Sequence, residues 1–158
     1  YTMRLKFFFS MLAAAAIALT GCNKDQTELE INYGKSAIVK GKVILNDGTS
    51  TTKAGANIKV YAQIKYADLV TTNTTLEGTK TFETITDTEG KYQFELPVKD
   101  NGTDISIYTE TVEVENGYYA SKTGNANNCK PNIISYVTDI TLSLTKTTTN
   151  SGSSTGDI

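Results

Sequence analysis

The chain has 158 residues, 15 basic against 17 acidic side chains and a formal net charge of -2, with both signs interspersed. That balance leaves no basic stripe for nucleic acid to bind. The absence of histidine excludes Ser-His-Asp and Cys-His nucleophile systems and histidine-based zinc or copper sites, and nothing in the composition calls for a cofactor.

From the amino terminus, Met3 reads as the start, with Tyr1 and Thr2 an upstream remnant. Arg4 and Lys6 make a short positive segment, and Phe7 to Leu19 is apolar apart from Ser10. A run of that size fits the about 7–15 residues of a signal-peptide core and falls short of the about 20 that a bilayer span needs. Leu19-Thr20-Gly21-Cys22 follows. This stretch resembles the bacterial lipobox, Leu-[Ala/Ser/Thr]-[Gly/Ala]-Cys, in which the peptide is cut before the Cys and the thiol carries a diacylglycerol. The resemblance implies a lipoprotein signal peptide over 1–21 and a membrane anchor at Cys22, since acyl chains contribute about 0.8 kcal/mol per buried CH₂. Lys24-Asp25 is similar to the surface-export signal of Bacteroidetes lipoproteins, with Gln26 where a second acidic residue is usual. It implies an outer-membrane lipoprotein at the cell surface. Residues 22–34 are expected to be a polar tether. With Cys22 acylated, Cys129 has no partner within the chain, so a disulfide framework is excluded and Cys129 is expected as a free, partly buried thiol.

The body, 35–146, reads as strands. In Lys35 to Leu45, Val39, Gly41, Val43 and Leu45 fall on one face at period two. Asn46 to Thr49 is a turn signal. From Asn57 to Lys65, Ile58, Val60, Ala62 and Ile64 alternate with polar residues, giving one buried and one wet face. Asp68 to Thr79 is polar and Thr-rich and is expected to be a long loop. Strands are expected over Lys80 to Asp87, over Lys91 to Val98 with Pro97 at its end, and over Asp104 to Glu115 with an irregularity near Thr109-Glu110-Thr111. A closing strand runs over Ile133 to Lys146, with Ile140, Leu142 and Leu144 inward. Helical periodicity is confined to the leader. The tail 147–158, TTTNSGSSTGDI, is too polar to offset its chain entropy and is expected to be disordered. The pattern predicts an all-β, antiparallel sandwich of about seven strands, transthyretin-like or Ig-like.

Gly41-Lys42-Val43, then Ala54 to Val60 (AGANIKV), then Thr86 to Pro97 (TDTEGKYQFELP), resembles the carboxypeptidase regulatory-like family, whose pattern is G-x-V, a turn, G-A-x-V-x-V and T-D-x-x-G-x-Y-x-F/I. The resemblance covers about Ile38 to Ile107 and implies a transthyretin-like (prealbumin-like) sandwich that accompanies other machinery and is not itself catalytic. The stretch Tyr66 to Thr79 departs from the shorter family connection as an insertion. In the last block, Asp87 can accept turn N–H groups and Gly90 can take a positive φ, so both read as turn residues.

Four groups could carry chemistry. Glu110, Glu113 and Glu115 are the nearest approach to a pair of catalytic carboxylates, but carboxylates two apart on a strand more often solvate an edge. The loop Asp100 to Asp104 offers oxygen ligands without the spacing of a calcium loop, and no metal site is expected. Lys40 or Lys42 with Asp139 has the residue types of the Lys–Asn/Asp cross-link in some Gram-positive adhesin sandwiches, although outward lysines on strands need no such explanation. Tyr118 and Tyr119, followed by Asn125, are expected at a loop tip, where rigid Tyr area and adaptable Asn hydrogen bonding suit protein or glycan contact; a Tyr there can equally plug the end of the sandwich. The expected function is a lipid-anchored envelope module, not an enzyme, with a binding or structural role. The alternatives are a pilus or assembly subunit and an accessory domain of a glycan-processing system.

Overall fold

A computed structural model describes residues 34–70 and 75–148. The expected signal peptide, Cys22, the tether up to residue 33, the tail from 149 onward and residues 71–74 of the insertion lie outside the described residues.

The described residues form β1 (Ser36–Asn46), β2 (Lys53–Ala54), β3 (Lys59–Lys65), a single helical turn α1 (Tyr66–Leu69), β4 (Thr79–Ile85), β5 (Lys91–Pro97), β6 (Thr103–Thr109), β7 (Val112–Val114), β8 (Gly117–Tyr119), β9 (Thr123–Cys129), β10 (Ile134–Tyr136) and β11 (Ile140–Lys146). They make two sheets, one of seven strands and one of four in the order β4-β3-β6-β9. The protein is therefore an all-β sandwich. Alternation drives it. In β3, Val60, Ala62 and Ile64 are buried while Lys59 and Lys65 at its ends are exposed. In β5, Tyr92, Phe94 and Leu96 are buried and Lys91, Gln93 and Glu95 exposed. These inward rows meet Val39 and Val43 of β1, Ile105 and Ile107 of β6, and Ile140 and Leu142 of β11 in one core. Each fully buried aliphatic side chain contributes about 1.5–3 kcal/mol.

The seven-stranded sheet is organised around β1. The first part of β1 pairs antiparallel with β5, from Ser36↔Pro97 to Lys42↔Lys91, and parallel with β10, from Ile38↔Ile134 to Lys40↔Tyr136. Its last residues pair antiparallel with β2 and parallel with β11, from Val43↔Ile140 to Asn46↔Ser143. β11 continues to β8, and β8 to β7. On the β10–β11 side, Gly41 and Lys42 thus stand opposite neither strand. The chain passes from β10 to β11 there, through Val137 to Asp139.

Several expectations change in detail. The sandwich has eleven strands among the described residues, not about seven, and two of its pairings are parallel. Parallel pairing needs a long crossover, and the whole four-stranded sheet lies in sequence between β1 and β10. The expected closing strand is two strands, because β1 takes β10 and β11 as successive partners. The irregularity at Glu110-Thr111 is a sheet change: β6 lies in one sheet and β7 in the other. The expected loop from Asp68 begins inside α1, whose Leu69 is buried, as is the next residue, Val70. Cys129 is fully buried, with its thiol 3.5 Å from the Ala126 carbonyl oxygen.

Candidate functional site

The gap in pairing beside β1 opens a groove of about 560 Å³. Ligand sites commonly run to about 300–1,000 Å³. Register sets its floor: Tyr92 of β5 sits directly opposite Gly41 of β1. Lacking a side chain, Gly41 lets the Tyr92 ring lie across it, and a Cβ on Gly41 would collide with the Tyr92 hydroxyl. Phe94 packs edge-on to the same ring, centroids 6.0 Å apart at 68°. Tyr92 is 4% exposed, and its buried hydroxyl has no protein hydrogen-bond partner. Burial, helped by the charge of Asp139, pushes the Tyr92 phenol well above its ordinary range.

The rim is of different character. Tyr136 of β10 is 75% exposed and Ile85 of β4 is 51% exposed, and both line the groove. Lys40, Lys42 and Gln93 bring donors from β1 and β5, and Asp139 brings a carboxylate. Lys91 is already paired with Glu89. Neither Lys40 nor Lys42 makes an ion pair with Asp139, although the fold brings all three to one groove. Buried hydroxyl, exposed aromatic ring and several hydrogen-bonding heads can hold a polar ligand with one flat apolar face.

Asp87 lines this groove and, with Gly90, builds the turn that leads into β5. Asp87 Oδ1 accepts the N–H groups of Glu89 and Lys91, each at 2.9 Å. Gly90 has φ +78°, donates to the Asp87 carbonyl at 3.0 Å, and packs so tightly under β1 that a Cβ would strike the Val43 carbonyl. A residue that pattern reading missed holds the next segment. The buried Thr86 hydroxyl donates to the Gly55 carbonyl at 2.6 Å and accepts from Ile58 N–H at 2.8 Å.

The other sequence candidates are not gathered into a site. Tyr118 and Tyr119 lie on β8, not at a loop tip; Tyr119 is core, 6% exposed, and Tyr118 is half-buried. Asn125 lies on β9 in the opposite sheet, beside Ser106. Glu110 accepts the Lys59 N–H at 2.8 Å, and Glu113 stands opposite Tyr118 on the exposed edge. Glu115 is exposed beyond the end of β7. In the Asp100–Asp104 loop both carboxylates are engaged, Asp100 with Lys35 at 2.6 Å and Asp104 with the Asn128 N–H at 2.8 Å. Among the described residues no cluster of acidic or sulfur ligands could hold a metal.

No family model matches the chain, and no curated protein matches it. Among solved structures it is similar to a crystal structure from Pseudomonas aeruginosa, of a protein named for proposed carbohydrate binding. The identity is 14%, the TM-score 0.36, and the match covers 69% of this chain and 88% of that one. At that distance the likeness carries no inference about this protein.

Proposed function

We propose that this protein is a lipid-anchored, non-catalytic binding module of the bacterial envelope, and that the groove over Gly41 takes a glycan. The observation that carries the reading is the Tyr92 hydroxyl, buried without a protein partner at the floor of a groove whose rim exposes Tyr136. An unsatisfied buried hydroxyl costs about 1–3 kcal/mol, and a ligand hydroxyl that parts the groove wall far enough to reach it would offset that cost. The Tyr136 ring offers a rigid face for the C–H side of a sugar, while Lys40, Lys42, Gln93 and Asp139 suit its hydroxyl groups. The anchor at Cys22 and the outer-membrane, surface-exposed location rest on the lipobox and the Lys24-Asp25 resemblance.

The test is a panel of soluble envelope and host oligosaccharides titrated against the mature protein. A member that binds wild type should bind Tyr136→Ala at least about tenfold more weakly, a loss of about 1.4 kcal/mol. Equal binding by both proteins would remove Tyr136, and with it the groove, from the function.

A further inference from the structure

We infer that the end of the sandwich where β1 begins rests on the bilayer, with Ile133 and Ile134 seated at the boundary between headgroups and acyl chains. This rests on the proposed anchor at Cys22. Five large apolar side chains are markedly exposed among the described residues, and two of them, Ile133 and Ile134, are adjacent. Ile133 is 52% and Ile134 44% exposed. With the half-buried Ile38 they line a shallow depression of about 330 Å³. Single exposed apolar residues need no explanation, whereas a contiguous group does.

The topology says what covers it. β10 runs parallel to β1, so the two strands start at the same end of the sheet. The Asn132 N–H donates to the Ser36 carbonyl at 2.9 Å and the Ile38 N–H to the Ile133 carbonyl at 3.2 Å. The chain therefore enters the sandwich beside the exposed isoleucines. Only residues 23–35 separate that entry from Cys22, a reach of at most about 45 Å. An acylated Cys22 holds this end close to the membrane, and tethering of that kind makes a weak second contact effective. The charges at this end largely cancel, so the apolar contact sets the seat. Lys35 and Lys130 are exposed at this end. Asp100 takes up the Lys35 charge, and Glu95, which accepts from the Ser36 hydroxyl at 2.8 Å, keeps its own beside the depression. Tyr136 lies two residues further along β10 and the groove beyond it toward Lys42, so a domain standing on this end keeps its groove open to water.

The chain contains no tryptophan, so single substitutions report their own depth. The experiment uses full-length chain processed by the cell and reconstituted into phosphatidylethanolamine–phosphatidylglycerol vesicles. Ile133→Trp is compared with Ser50→Trp, which sits in the exposed turn after β1 at the opposite end. Lipid spin-labelled high on the acyl chain should quench the Trp at 133 several-fold more strongly than the Trp at 50. Flotation of the protein with vesicles but equal or absent quenching at 133 overturns the docking alone, including the case where the patch instead pairs two copies in sedimentation. Failure of the wild-type chain to float, or equal flotation of a chain that begins at Asn23 and so has neither leader nor Cys22, overturns the anchor and the docking together.

Discussion

Gly41 and Tyr92 are a single structural unit. The ring occupies the space that any other residue at 41 would claim, so Gly41→Ala forces the Tyr92 ring out of its place. Overpacking of this kind costs about 1–3 kcal/mol, read as a lower urea midpoint with an unchanged slope. Tyr92→Phe goes the other way. It removes a hydroxyl that is buried without a protein partner, so the free protein should gain about 1 kcal/mol while glycan affinity falls several-fold. A loss of stability in Tyr92→Phe would mean that the hydroxyl is satisfied in the free protein. The same substitution has a signature at high pH. Burial raises the folded-state phenol above its ordinary value of about 10, so below that pH both states keep the proton and ionisation has no effect. Above it the unfolded chain releases the proton first, the folded state binds more protons, and stability falls by up to about 1.4 kcal/mol per pH unit until the folded phenol ionises. Tyr92→Phe should lose less stability than wild type when urea unfolding is repeated above pH ~10.

At the scale of elements, the turns are held by side chains as much as by backbone. Thr86 follows β4 and ties the chain after β2 to the start of β3, through its bonds to Gly55 and Ile58. Thr86→Val keeps the shape and removes both bonds, leaving a buried N–H and a carbonyl without their partner. It should cost about 2–3 kcal/mol by urea unfolding, with β3–β4 amides exchanging faster. A cost near zero would show that Thr86 holds nothing. These contacts also explain what could be read from sequence. β3 and β5 alternate cleanly, and the Asp87–Gly90 turn has its own chemistry, so both were legible. β9, TGNANNC, was not: Gly and Asn disfavour strands, and only its pairing with β6, Ile105↔Ala126 and Ile107↔Gly124, extends it. The division of 133–146 into β10 and β11 was hidden because β1, far away in sequence, decides it. Tyr118 and Tyr119 read as a loop because a three-residue strand is too short to show a period. The groove was illegible for the same reason as the division: Gly41, Tyr92, Tyr136 and Asp139 carry no shared local pattern, and β1–β5 and β1–β10 pairing alone brings them together.

For the molecule as a whole, stability comes from the core between the sheets. The ion pairs among the described residues lie at the surface, and even the close Lys35–Asp100 pair is well exposed, at 50% and 72%. Such pairs are worth about 0–1 kcal/mol and are screened by salt, so moderate salt should move the unfolding midpoint little. That separation suits a binding module: the sandwich is held by its interior, which leaves one stretch of β1 uncovered for a ligand. The proposed binding site is this stretch. It is tested most directly by following backbone amide shifts of the mature, isotopically labelled protein while the oligosaccharide panel is added. Glycan binding in the groove should concentrate the shifts at Lys40–Lys42, Tyr92–Gln93 and Tyr136–Asp139 and leave the amides of Tyr118 and Asn125 quiet. Shifts centred on β8 or β9, or a panel in which no sugar moves the groove amides, would contradict it.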